Sequence, residues 1–258
     1  MNLKLTQAFF MLLIAFVALA GCEQAQKTVI GGMSGDKTTD ESMSEGPAIP
    51  VIVVWFVDYP EGGKDAYIAN VASNAETLQA PKEVVRIRSY DNVHLDGVDV
   101  GPDRLVEFEF NSFLDAARYM NRPEIAAILT DLPNYATEIT VHTFIQRGDY
   151  TKDEMGDWPI RYISLIDYPL GEKEVYLEWV ASIAVPLSTP PEVRAITSYD
   201  NYYGESPHRL VDLSFGSLED YMAYNQLPEI MEIESQVETR SANWTSHVYA
   251  LRSDYINE

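Results

Sequence analysis

The chain has 258 residues, with 18 Lys and Arg against 40 Asp and Glu, and a net charge of −22. That balance excludes a phosphate-binding surface for nucleic acid and a basic patch for anionic lipid. A hydrophobic content of 46% suffices for packed cores, and a lone cysteine, Cys22, excludes an internal disulfide and a cysteine-based metal site.

The N-terminus reads as an export signal. Lys4 supplies a positive start, and Ala8 to Ala20 is an unbroken apolar run, long enough for a signal core and short for a bilayer span. Leu19-Ala20-Gly21-Cys22 follows it and resembles the lipobox of bacterial lipoproteins. The resemblance implies removal of residues 1–21, acylation of Cys22 and anchorage in the cell envelope. Glu23 stands where Asp would signal inner-membrane retention, which favours the outer membrane facing the periplasm. Two or three acyl chains make a stable anchor where one is marginal. Residues 22–47 lack aromatics and apolar periodicity and are expected to form a flexible acidic, Ser- and Gly-rich tether.

After the tether the sequence repeats itself. Val57-Asp58-Tyr59-Pro60 returns as Ile166-Asp167-Tyr168-Pro169, and Ser89-Tyr90-Asp91-Asn92 as Ser198-Tyr199-Asp200-Asn201, at one offset (167 − 58 and 200 − 91, both 109). Arg104-Leu105-Val106 matches Arg209-Leu210-Val211, Pro123-Glu124-Ile125 matches Pro228-Glu229-Ile230, and His142 matches His247, at a second offset (209 − 104 and 247 − 142, both 105). The first copy therefore carries four extra residues near Leu95–Gly101. Such regularity marks duplication of one folding unit, over residues 48–152 and 158–258.

Within a copy, Val51 to Val57 is a continuous apolar run that predicts a strand buried on both faces. Tyr67, Val71, Ala75 and Leu78, and their counterparts Tyr176, Val180, Ala184 and Leu187, form a helical stripe ended by Pro81 and Pro190. Glu83 to Tyr90 alternates as a strand, as does Arg104 to Phe110, whose Val106, Phe108 and Phe110 oppose Leu105, Glu107 and Glu109. Ser112-Phe113-Leu114-Asp115 and Ser217-Leu218-Glu219-Asp220 predict capped helix starts, Pro123 and Pro228 the first turns of further helices, and 139–146 and 244–251 the last strands.

The order β-α-β-β-α-β is that of an α+β ferredoxin-like unit. Its free sheet face can be covered by a second unit closing a barrel. The duplicated element order over residues 50–258 resembles the dimeric α/β-barrel superfamily, which includes small cofactor-free monooxygenases, muconolactone isomerase, EthD-like and REDY-like proteins and some haem proteins. The resemblance implies a barrel closed within one chain, pseudo-two-fold symmetry and a monomer.

Candidate site residues follow from the repeat. His142 and His247, mid-strand, are either core residues satisfied by a neighbouring Thr, Tyr or carboxylate or candidate acid/base groups, with Tyr90 and Tyr199 placing a substrate. An axial haem ligand is the alternative that the resemblance implies for the His pair; no cofactor and no metal centre are otherwise expected. Asp91, Asn92 and Arg104, with Asp200, Asn201 and Arg209, are expected to meet across a hairpin, either pinning a loop or lining a pocket. Arg86 and Arg88 are expected to pair with Glu107 and Glu109 on the inner sheet face. The second copy has Ala195, Thr197, Asp212 and Ser214 there, so this cluster is expected to be largely lost. No phosphate loop, His-Glu-x-x-His or G-x-S-x-G motif occurs. Three function classes remain: binding of a small organic ligand, cofactor-independent monooxygenase, isomerase or cyclase chemistry, and an envelope scaffold that binds another protein.

Overall fold

The apolar run Val51–Asp58 forms β1, buried on both faces through Val57. Its alternation splits it between two environments. Ile52, Val54 and Phe56 point one way, and Val51, Val53, Trp55 and Val57 the other. The computed structural model describes residues 49–95, 101–152 and 158–257. The leader, Cys22 and the tether lie outside the described residues, as does most of the first-copy insertion.

In the first copy β1 is followed by α1 (Lys64–Ser73) and α2 (Ala75–Gln79), β2 (Val84–Asn92), β3 (Arg104–Phe110), α3 (Phe113–Met120), α4 (Pro123–Asp131), a 3-10 turn at Leu132–Asn134, and β4 (Glu138–Thr151). The second copy has β5 (Ile160–Asp167), α5 (Lys173–Ser188), β6 (Val193–Asn201), β7 (Arg209–Phe215), α6 (Leu218–Asn225), α7 (Pro228–Arg240) and β8 (Asn243–Ile256). Ser112 and Ser217 cap α3 and α6, each accepting from the backbone N–H three residues on, at 3.1 and 3.0 Å. Pro123 and Pro228 open α4 and α7, where a missing N–H costs nothing.

The eight strands form a closed antiparallel barrel in the order β1-β3-β2-β8-β5-β7-β6-β4. Register repeats between the copies: Val51 faces Phe110 as Ile160 faces Phe215. The copies meet along two seams, β2 with β8 and β4 with β6. These seams explain why β4 and β8 outrun their expected ends at 146 and 251. Their last turns pair with the other copy, Asp149 opposite Thr197 and Asp254 opposite Arg88. Polar segments such as Arg147-Gly148-Asp149 show no strand pattern by themselves, because tertiary pairing alone makes them strands.

Three cores result. Two lie between the sheet and the helices of each copy. The third fills the barrel, with Ile52, Val54, Phe56, Tyr90, Leu105, Phe144, Ile163, Tyr199, Leu210 and Tyr249. Residues 48–258 form one compact unit. Among the described residues no helix is long and apolar enough to cross a membrane.

Candidate binding site

The barrel interior holds more than apolar side chains. Arg88, from β2, reaches Glu107 at 3.2 Å and also pairs with Glu109. Arg161 in β5 donates to Asp212 in β7 through Nε at 2.7 Å and a second, parallel bond, and lies 3.9 Å from Glu107. Arg86 pairs instead with Asp254 of the seam strand β8, its Nε 2.8 Å from the carboxylate. The expected loss of charge in the second copy is therefore corrected. Asp212 remains, and its partner Arg161 stands where the first copy has Ile52, outside the strand pair from which a partner was sought.

Within this row Glu107, Glu109 and Asp212 outnumber Arg88 and Arg161. Burial, opposed by Arg161 and reinforced by Glu107, holds Asp212 above the usual carboxylate range, and burial raises Glu109 likewise. Tyr90 donates to Glu107 at 3.4 Å beneath the Arg161 guanidinium. Desolvation pushes the Tyr90 and Tyr199 hydroxyls well above their usual range.

His142 belongs to the same interior. It is opposite Val54 and packs near the Phe56 and Phe144 rings. Desolvation holds it below the usual imidazole value, so it is neutral at neutral pH. His247 is buried beside Tyr249. A Cβ added to Gly101 would come within 2.1 Å of His247 Nδ1, so the end of the first-copy loop rests directly on that imidazole.

Asp91 and Asp200 each gather three cations at matching positions. Arg104 Nη1 lies 3.5 Å from Asp91, Lys64 Nζ 3.2 Å, and Arg252 Nε 2.8 Å. Around Asp200 stand Arg209 at 3.2 Å, Lys173 at 3.1 Å and Arg147 at 3.4 Å. Arg252 comes from the second copy and Arg147 from the first, so each cluster bridges a seam. Asn92 donates to the Pro102 carbonyl at 3.0 Å, and Asn201 accepts from the Tyr203 N–H at 2.9 Å. Both Asx pairs lie inside the strands and tie down the following loops.

A cavity near these residues lies outside the barrel, between the first copy's sheet and α1, α2 and α4. It measures about 240 Å³, and Trp55, Tyr67, Phe108 and Leu129 contribute to its apolar walls. At one side it meets Ser89, Arg104 and Arg252. Arg104 donates to Ser89 Oγ at 2.7 Å. The equivalent space in the second copy is only about 80 Å³. Tyr162 for Val53, Trp179 for Asn70 and Trp244 for Ile139 add bulk there, and Ser164 for Trp55 and Leu213 for Phe108 remove some of it. Glu234 replaces Leu129 there and accepts from Tyr162 at 2.8 Å, and burial raises its pKa.

Of the sequence-derived candidates, only Arg104 lines the larger cavity. His142, Tyr90, Tyr199 and Glu107 face the barrel interior. Trp55, Tyr67 and Arg252 were missed. Comparing equivalent positions of the repeat for size flags the exchanges, but these run in both directions, so their net effect on the space needed the structure.

The cavity does not suit haem. Among the described residues no His, Cys or Met lines it. Among the described residues no cluster of three or more His, Cys, Asp or Glu is arranged to hold a metal ion.

No family model matches the sequence, and no curated protein matches it. Solved structures match in shape. A candidate monooxygenase from Fusobacterium nucleatum superposes with TM-score 0.62 at 9% identity, over 81% of this chain and 95% of its own. An anthrone oxidase-like protein gives TM-score 0.64 at 14% identity, over 81% and 93%. Chlorite dismutase from Candidatus Nitrospira defluvii, in complex with imidazole, gives 0.54 at 11%, over 79% and 91%. At such identities the likeness is one of fold alone, and that fold is the dimeric α/β barrel, closed here by a single polypeptide.

Proposed function

We propose that the protein is a lipid-anchored envelope protein, built from two tandem ferredoxin-like units, whose first unit binds a small, largely apolar organic molecule between sheet and helices. The observation that carries this reading is the unequal filling of two equivalent spaces, about 240 Å³ against about 80 Å³. Close packing is the default in protein interiors, and an engineered void of about 150 Å³ already accepts benzene. A space this size accommodates a mono- or bicyclic body.

Enzymatic oxidation or isomerisation is a second reading, favoured by the fold shared with a candidate monooxygenase and an anthrone oxidase-like protein. Among the described residues, the lining of this cavity offers it no proton acceptor, since His142 and His247 face the barrel interior instead. The titratable groups lining the cavity are Tyr67, Tyr255, Arg104 and Arg252. Burial pushes the Tyr67 hydroxyl up to about 12, which makes it a poor base near neutrality. Binding is therefore the leading reading.

The test is a thermal-shift screen of aromatic and quinone compounds, followed by calorimetry on wild type and Ala75→Phe. Ala75 borders the cavity, and a phenyl ring there occupies it. The expected result is about tenfold or greater loss of affinity with an unchanged or higher Tm, since filling a void without strain stabilises. An empty screen, or a hit indifferent to Ala75→Phe, overturns the reading. Oxygen consumption with a bound hit would replace it with the enzymatic one. The anchor has its own test. Cys22→Ala is expected to abolish palmitate labelling and release the protein from membranes, and unchanged fractionation overturns that part.

A further inference from the structure

We infer that the first-copy cavity selects an organic anion, an apolar ring body ending in a carboxylate that meets Arg104 and Arg252; this rests on the binding reading above.

The charge around the cavity runs against the charge of the chain. In a protein of net charge −22, no carboxylate among the described residues lines this cavity, while two guanidiniums do. Arg104, Arg252 and Lys64 all pair with the carboxylate of Asp91, and with Asp65 counted beside Arg252 the three cations exceed the carboxylates by one. Asp65, on the outer turn of α1, is a further carboxylate felt by Arg252. Arg104 is 3% exposed, and its Nε, like that of its counterpart Arg209, has no hydrogen-bond partner among the described residues. Trp55 Nε1, on the cavity wall, is also a buried donor without one. Buried donors are rarely left in that state. An acceptor-rich anion would relieve the excess charge and supply acceptors, and guanidinium forks match carboxylate geometry.

The second copy provides the contrast. A matching three-cation cluster surrounds Asp200, yet among the described residues no Arg lines the space of about 80 Å³ and Glu234 does. The cluster therefore braces a seam in both copies and borders a usable cavity in only one. Arg252 and Tyr255 form the open side, at 36% and 41% exposure. Both come from β8, so the site is incomplete without the second copy.

The experiment compares 2-naphthoic acid, 2-naphthamide and 2-naphthylmethylamine by calorimetry on the wild type and Arg252→Gln. Arg252 is half-exposed, and a matching Tm confirms that the variant folds; Lys64→Gln, at a still more exposed position, serves if it does not. The acid is expected to bind about tenfold tighter than the amide, with the amine weakest. That preference should shrink between roughly 0.02 and 0.2 M salt. Arg252→Gln should remove most of it and leave amide binding within about twofold. Equal binding of acid and amide, or tighter binding of the amine, overturns the anion inference and leaves the cavity reading intact. No binding by any of the three overturns both.

Discussion

Inside the barrel each charged side chain survives only because a specific partner meets it. Asp212 is 1% exposed and receives two bonds from Arg161. Replacing Asp212 with Ala leaves a buried guanidinium short of its partner, a change that typically costs about 3–5 kcal/mol. Urea unfolding should show that loss, whereas the double change Arg161→Met with Asp212→Leu should be near neutral or stabilising. Glu234 tests a different term. Its folded pKa is raised by burial, so the native state holds a proton that the unfolded state has released. Its contribution is therefore fully favourable below the ordinary Glu pKa and is lost as pH rises through the raised value. Glu234→Gln keeps an acceptor for Tyr162, and its Tm should decline less than the wild type's across that window. Parallel Tm–pH curves for the two proteins would contradict this assignment.

Local elements were legible wherever short-range chemistry decides them. Both serine caps and both helix-opening prolines read directly from the sequence, because their partners lie within four residues. Ser112→Ala and Ser217→Ala should each cost about 1 kcal/mol in chemical unfolding, with similar values in the two copies. Other boundaries depended on distant partners. The first helix of copy one divides at Asn74, while its counterpart α5 continues to Ser188 with Pro186 inside. The prolines at 81 and 190 fall just beyond the helices they were expected to stop. The last turns of β4 and β8 became strands only by pairing across the seams. Asp91 and Asn92 lie in β2, not in a turn, because β3 and β8 pair on either side of them.

The whole molecule depends on closure. Either copy alone would expose half of the buried charge row and two unpaired strand edges. A fragment of residues 48–152 is expected to remain unfolded or to self-associate, and a well-folded monomeric fragment in sedimentation would refute the dependence. The full chain should sediment as a monomer, since its barrel already occupies the surface that two-chain barrels use to pair. The sequence by itself determined the duplication, the order of elements and which strand faces are apolar, since periodicity and capping act over a few residues. It also located the Arg104–Asp91 and Arg209–Asp200 pairs, because neighbouring strands set that register. Only the tertiary structure decided that Arg161 completes the charge row, that the histidines face the barrel interior and that Arg252 crosses a seam to border the first cavity. Those outcomes depend on contacts between residues about fifty or more positions apart, where side-chain volume and charge at the meeting point, rather than local pattern, set the result.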